Sequence, residues 1–113
     1  NLTLLARLSY EQRNNSQAET FWKQALAIVE RTLGPEHIAL AEILNDLAEL
    51  SFVQGRYLQA KFLCGRAITI SERVLGSEHP DSIAYHKHLN SIVSKIAAEQ
   101  VGNRSYLPAP PIT

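Results

Sequence analysis

The segment Arg31-Thr-Leu-Gly-Pro-Glu-His37 returns 42 residues later as Arg73-Val-Leu-Gly-Ser-Glu-His79. When residues 2–42 are aligned with residues 44–84, 16 of the 41 pairs are identical, where chance would give about two or three. Such a period is typical of repeat proteins, whose units bury their apolar faces against one another. The duplication therefore predicts a stack of similar units.

A third copy of the unit begins after His79. Leu89 and Ile92 keep the register of Leu47 and Leu50, and the copy stops before a second helix. We therefore expect one repeat domain, residues 1–100, with units at about 2–42 and 43–84 and the first helix of a third at 80–99. Residues 101–113 are expected to form a Pro-rich tail or linker.

Apolar residues recur every three or four positions within each unit. Leu40, Leu44 and Leu47 show this spacing, which places side chains on one stripe of an α-helix. Gly34, Gly55 and Gly76 end such stripes, at positions where a positive φ excludes most side chains. The sequence predicts an all-α fold, an antiparallel helix-hairpin stack of the α-solenoid type with about five helices, near 2–13, 16–33, 37–54, 57–75 and 80–99.

Other residues indicate where helices begin. Pro35 and Pro80 fit helix entry, because the first helical position needs no N–H donor. Ser16-Gln-Ala-Glu19 matches a capping box, in which a hydroxyl and a carboxylate satisfy the first free N–H groups. We therefore expect the second helix to start at Ser16.

Composition restricts the class of protein. The chain has 113 residues, 11 Lys+Arg and 11 Asp+Glu, so its formal net charge is zero, which argues against a nucleic-acid partner. No apolar run is long enough to span a membrane. The single cysteine, Cys64, excludes an intrachain disulfide and multi-cysteine zinc sites. The chain contains no Met, and we expect it to be a piece of a longer protein.

The second unit resembles a known repeat. It is similar to a tetratricopeptide repeat (TPR), and the resemblance implies a TPR-like α-solenoid fold. The similarity lies in Leu44-Asn-Asp-Leu-Ala-Glu-Leu50, Gln54-Gly-Arg-Tyr-Leu-Gln-Ala60 and Arg66-Ala-Ile68. The 42-residue period and Glu72-Arg-Val-Leu-Gly-Ser-Glu-His-Pro80 resemble its kinesin-light-chain type. The first unit departs from the pattern at Arg13-Asn-Asn15, where Gly-x-Tyr is expected, so this turn is expected to be looser or the first helix frayed.

The resemblance implies a non-catalytic scaffold for protein or peptide binding, with no cofactor and no nucleic-acid or membrane partner. Catalytic motifs such as glycine-rich phosphate loops and Gly-x-Ser-x-Gly are absent from the sequence. Cys64 shares its repeat position with Trp22, so we expect an inert core thiol. The unpaired cysteine and the resemblance together favour a cytoplasmic location.

The four histidines do not predict a metal site. His86 and His88 are two positions apart, so they point in different directions on one helix. His37 and His79 recur with the period, which indicates structural turn residues near helix starts. We expect no bound metal.

The resemblance places the first helices of successive units along a concave face. Residues there that point away from the apolar stripe are free to contact a peptide, or they form an ordinary solvated surface. Asn45 is the best single candidate, because its amide both donates and accepts hydrogen bonds, whereas Asp46 would repel a free C-terminal carboxylate. The candidates form an acidic middle and a basic end: Thr3, Arg7, Tyr10, Glu11, Glu42, Asn45, Asp46, Glu49, Phe52, Lys87, His88, Ser91 and Lys95.

Two alternatives stay open. An uncapped solenoid end is adhesive, so the chain could instead self-associate as a homo-oligomer or pack within a larger scaffold. The tail could be a linker, it could fold Tyr106-Leu107 back over the last helix, or Pro108–Pro111 could be a ligand for a partner. Gly102 is expected to end the last helix.

Overall fold

The computed structural model describes the backbone of residues 1–106 and the side chains of residues 1–100. Within that part of the chain the fold is all-α, as predicted, and contains no strand. Turns of three or four residues join successive helices. The helices are α1 (Leu2–Glu11), α2 (Asn15–Leu33), α3 (Ile38–Val53), α4 (Tyr57–Leu75) and α5 (Pro80–Tyr106).

Each helix packs against its neighbours in sequence, so the helices form a row. The molecule measures 60 × 33 × 22 Å and its radius of gyration is 16.7 Å, whereas a compact domain of this length has roughly 13 Å. This elongated shape confirms the α-solenoid. No helix of the described residues is long and apolar enough to cross a lipid bilayer.

Two clusters of buried side chains hold the row together. The first lies between α1, α2 and α3 and is centred on Trp22, with Leu47 and Leu50 packed against it. The second lies between α3, α4 and α5 and contains Leu44 and Cys64. Cys64, the repeat equivalent of Trp22, is fully buried, so the prediction of a core thiol is confirmed.

The repeated histidines cap helices. The Nδ1 atom of His37 accepts a hydrogen bond from the Ala39 N–H at 3.0 Å, and that of His79 accepts one from the Asp81 N–H at 3.1 Å. Each bond satisfies one of the free donors in the first turn of a helix. The prediction of structural turn residues is confirmed, and the caps explain why both histidines recur with the period.

Two predictions about helix starts are wrong. The cap of α2 is Asn14, whose Oδ1 accepts from the Gln17 N–H at 3.4 Å, so Ser16 lies inside the helix and forms no capping box. The Glu19 carboxylate instead contacts Lys23 Nζ at 2.9 Å. Pro35 lies in the turn before α3 rather than at its first position, whereas Pro80 does begin α5.

The turns between paired helices have the same geometry in both units. Gly34, Gly55 and Gly76 have φ of 97°, 81° and 95°, which confirms their predicted role. Arg13 stands where the second unit has Gly55, and its φ is 64°. The Asn14 N–H bonds the Ser9 carbonyl at 2.8 Å, as its repeat equivalent does in the second unit. The turn at Arg13–Asn15 is therefore not looser, and the departure changes the residue but not the backbone.

The prediction that the last helix ends at Gly102 is wrong, because α5 continues to Tyr106. The turn of the second unit, Gln54-Gly-Arg56, corresponds here to Ile96-Ala-Ala98, and alanine favours the helix. A single glycine inside a helix costs only about 1 kcal/mol, so it does not end one alone. The proposed Tyr106-Leu107 contact and the Pro108–Pro111 ligand lie outside the side chains that the structure describes.

Candidate functional site

The first helices of the units, α1, α3 and α5, bring several predicted residues together. Arg7 on α1 lies with its Nη2 atom 3.5 Å from Asp46 Oδ2 on α3. Asn45 on α3 contacts His88 on α5, with 2.8 Å between Asn45 Oδ1 and His88 Nδ1. These two contacts join the three helices along one surface, which we call the groove face.

Asp46 lies at the centre of the groove face. Its side chain is only 18% exposed. Burial raises the pKa of Asp46 to about 6, and the Glu49 and Glu42 carboxylates add to the rise, while the Arg7 guanidinium opposes it. Arg7 therefore compensates this carboxylate only in part. A second cation on Asp46 would be electrostatically favourable.

Tyr10 flanks this carboxylate cluster. Burial and the neighbouring Glu49 carboxylate raise the pKa of Tyr10. Its ring packs against Trp22 with 5.9 Å between centroids, so the side chain is held from below by the first core cluster. Tyr10 therefore gives the groove face a fixed, partly exposed aromatic edge.

The middle of the groove face also contains a cysteine, a histidine and an asparagine. Cys64 Sγ lies 3.9 Å from His88 Nδ1, and Asn45 Oδ1 contacts the same nitrogen. A catalytic triad needs its orienting group on the opposite ring nitrogen from the nucleophile. Burial raises the pKa of the Cys64 thiol to about 11 and lowers the pKa of His88. The arrangement does not activate the thiol, whose hydrogen bond goes instead to the Tyr85 carbonyl at 3.3 Å.

The contact with His88 changes what Asn45 offers to a ligand. An amide oxygen only accepts, so His88 donates from Nδ1 and occupies Asn45 Oδ1. The Asn45 Nδ2 group makes no hydrogen bond among the described residues, which leaves two donors. His88 thus takes one acceptor position of the Asn45 amide, and the two amide donors remain available to a ligand.

The remaining candidates are less uniform. Glu42, Glu49 and Lys87 are exposed. Phe52 is partly buried and packs edge-on against Tyr57 with 5.4 Å between centroids, so it belongs to the core more than to a ligand surface. The others make local contacts: Ser91 donates to the Lys87 carbonyl, Thr3 donates to Asn1, Lys95 lies over the Tyr57 ring, and Glu11 is exposed.

A groove of about 680 Å³ adjoins Asp46, and the sequence analysis missed it. It is lined by residues of α1, α2 and α3, among them Ile28 and Val29 of α2 and Glu42 and Asp46 of α3. The residue pattern held no signal for this groove, because a groove between helices depends on how the helices pack against one another.

Comparison with known proteins identifies the family of this chain and a solved structure with a similar fold. Two family models, both described as tetratricopeptide repeat, match residues 1–60 and residues 40–81. No curated protein matches the chain. Solved structures that match include the crystal structure of BtubC (BKLC) from P. vanneervenii, at 18% identity and a TM-score of 0.65. That match covers 99% of this chain and 50% of the other, so this chain spans half its length. At this identity the likeness shows the fold alone. The family matches show that the chain belongs to the tetratricopeptide-repeat family.

Proposed function

We propose that the groove face holds an extended peptide segment of a partner protein, without catalysis. Tetratricopeptide repeats generally mediate protein–protein interactions. The observation that carries the proposal is the partly buried, incompletely compensated Asp46 carboxylate beside an open apolar groove. A desolvated charge at a cleft is a typical property of binding sites. The unpaired Cys64 and the family support a cytoplasmic setting for this binding.

The chemistry of the groove face suggests the peptide's composition. A Lys or Arg side chain would approach Asp46 and the exposed Glu42 and Glu49. An apolar side chain next to it would cover Ile28 and Val29 in the groove. The free donors of Asn45 would bond a backbone carbonyl of the peptide. We therefore propose a segment that pairs a basic residue with an apolar one, and not a free C-terminal carboxylate.

A two-residue variant tests the site. Peptides selected from a library are titrated against the 113-residue chain, with affinity measured by fluorescence anisotropy. Asn45→Ala with Glu49→Ala removes two donors and one carboxylate, and we expect the affinity to fall by at least about tenfold, equivalent to about 1.4 kcal/mol. Gln24→Ala with Arg31→Ala, two exposed positions on α2, is the matched control. If the first variant binds like the parent chain, the groove face is not the site.

Acidity gives a second test of the same site. Because the pKa of Asp46 is about 6, its carboxylate is charged at pH 7.5 and largely protonated at about pH 5. A peptide with a basic residue should bind more tightly at the higher pH, and Asp46→Asn should remove most of that difference. Equal pH dependence in the parent and Asp46→Asn would place the basic residue elsewhere.

A second candidate function is self-association through the free side of α1. Leu5 and Leu8 are each 45% exposed, while their repeat equivalents Leu47 and Leu50 are 4% and 1% exposed because α2 covers them. Sedimentation equilibrium over a wide concentration range tests this function. Self-association predicts a mass that rises with concentration and a return to monomer in Leu5→Glu with Leu8→Glu. A strict monomer at high concentration would exclude it.

A further inference from the structure

Helix α4 carries an apolar pair that the repeat does not require. Leu58 and Phe62 are 73% and 71% exposed and lie one helical turn apart. At the equivalent positions of α2 the chain has Ser16 and Thr20, which suit a surface in water. Ala60 and Ala67 of α4 are buried, as are their equivalents Ala18 and Ala25 of α2, so the two helices share these small buried residues while their outer sides differ. Two large side chains at such exposure indicate a surface that another segment covers.

The pair belongs to a continuous surface. A groove of about 460 Å³ lies between the start of α4 and the later part of α5, where Tyr57 and Leu58 face Ile96 and Gln100. Leu58 also borders a neighbouring groove that Phe62 lines. We call Tyr57, Leu58 and Phe62 the α4 strip. It begins beside α5 and runs along α4 for about one and a half turns.

We propose that residues 107–113 of the same chain cover the α4 strip. The helix α5 passes the strip at Gln100 and ends at Tyr106, which is about 9 Å further along the axis at 1.5 Å per residue. Seven residues in a polyproline conformation span about 22 Å. After turning back, the segment therefore reaches the groove with about 13 Å to spare, enough to pass Leu58 and approach Phe62.

The composition of the segment matches the strip. Leu107-Pro-Ala-Pro-Pro-Ile-Thr113 contains no charged residue, so its burial on an apolar strip requires no charge desolvation. Three prolines restrict the free segment, and a restricted chain loses less entropy when it binds. Grooves lined by aromatic rings are the usual receptors for Pro-rich extended segments, and the strip offers the rings of Tyr57 and Phe62. Attachment to α5 supplies an effective concentration of the order of millimolar.

Paramagnetic relaxation measures this contact in the full chain. A nitroxide is attached to Thr113→Cys under native conditions, where burial protects Cys64 from the label. We expect the amide signals of Leu58 and Phe62 to broaden, to the same extent at all protein concentrations. No broadening would overturn the proposal. Broadening that appears only when labelled and isotope-enriched copies are mixed would also overturn it, because the occupant would then be a second copy.

A matched variant tests whether the strip itself is responsible. Leu58→Ser with Phe62→Thr places the residues of α2 on α4, and both positions are exposed, so the fold should remain intact by circular dichroism. We expect the broadening near residues 57–62 to disappear. Leu33→Ser, which changes another exposed leucine at the end of α2, should leave it unchanged. Persistence of the broadening in the double variant would show that the segment rests on another surface.

Discussion

The first and second units differ in burial at positions where their residues are identical. Leu5 and Leu47 are the same residue at the same repeat position, yet one is 45% and the other 4% exposed. The difference comes from α2, which covers the outer side of α3 and has no counterpart against α1 among the described residues. The same residue at the same repeat position therefore does not contribute a fixed amount to the free energy of folding. Its contribution depends on the neighbouring unit.

The junctions on either side of the second unit also differ. Between α2 and α3, the repeat equivalents are Val29 and Leu40, an apolar pair. Between α4 and α5, these positions hold Ser71 and Ser82, both fully buried, with 2.6 Å between their hydroxyl oxygens. The Ser82 hydroxyl also lies 2.8 Å from the Gly76 carbonyl, to which it donates. One junction is stabilised by apolar contact, and the other requires a specific hydrogen-bond geometry.

The largest expected effect compares the two leucines. Leu47→Ala should lower the free energy of unfolding by about 2–5 kcal/mol, because it leaves a cavity beside Trp22. Leu5→Ala should lower it by less than about 1 kcal/mol, since water already reaches that side chain. Urea denaturation followed by circular dichroism measures both. Equal losses would mean that α1 is covered as α3 is, for example by a second copy.

Acidity should affect the second unit through Asp46, whose position in the first unit is held by Leu4. The pKa of Asp46 is raised from 3.8 to about 6, so the folded state disfavours the charged form. This carboxyl therefore lowers stability as pH rises from about 4 to 6, by an amount on the order of 3 kcal/mol. Asp46→Asn should match the parent near pH 3.5 and exceed it at pH 8. Glu11→Gln, at an exposed position, is the control, and an equal gain there would remove Asp46 as the cause.

The serine junction should respond as a coupled pair. Ser82→Ala should lower the free energy of unfolding by about 1–3 kcal/mol, because the buried Ser71 hydroxyl loses its partner. Ser71→Ala with Ser82→Ala should lose less than the sum of the single changes, since no hydroxyl is then left unpaired. Additive losses in this double-mutant cycle would show that the two hydroxyls act independently.

The two turns should give the smallest effect, with opposite signs. Arg13→Gly should raise stability by about 0.5–1 kcal/mol, because a positive φ of 64° strains a residue with a Cβ. Gly55→Ala should lower stability by about 1 kcal/mol for the same reason. Thermal melting of both variants gives the comparison. A loss in Arg13→Gly would mean that the Arg13 side chain contributes more than its backbone strain costs.

Features that repeat in the sequence were predictable, and features that depend on a neighbour were not. The period revealed the helix hairpins, the glycine turns, the capping histidines and the core position of Cys64, because each recurs at a fixed local geometry. The sequence did not reveal the pairing of Arg7 with Asp46, which depends on how α1 and α3 are rotated. The prediction of a capping box at Ser16 was wrong because Asn14, two residues earlier, supplies the side-chain acceptor that caps the helix. The prediction that Gly102 ends the last helix was wrong, because a glycine inside a helix costs only about 1 kcal/mol and the helix continues to Tyr106.

The equivalence of Trp22 and Cys64 has a practical consequence. Trp22 is the only tryptophan and Cys64 the only cysteine, and both are buried at the same repeat position in different units. Tryptophan emission therefore reports the opening of the first unit, and the rate of thiol labelling reports that of the second. The chain carries one optical and one chemical reporter, so the cooperativity between its two units can be measured without introducing a probe.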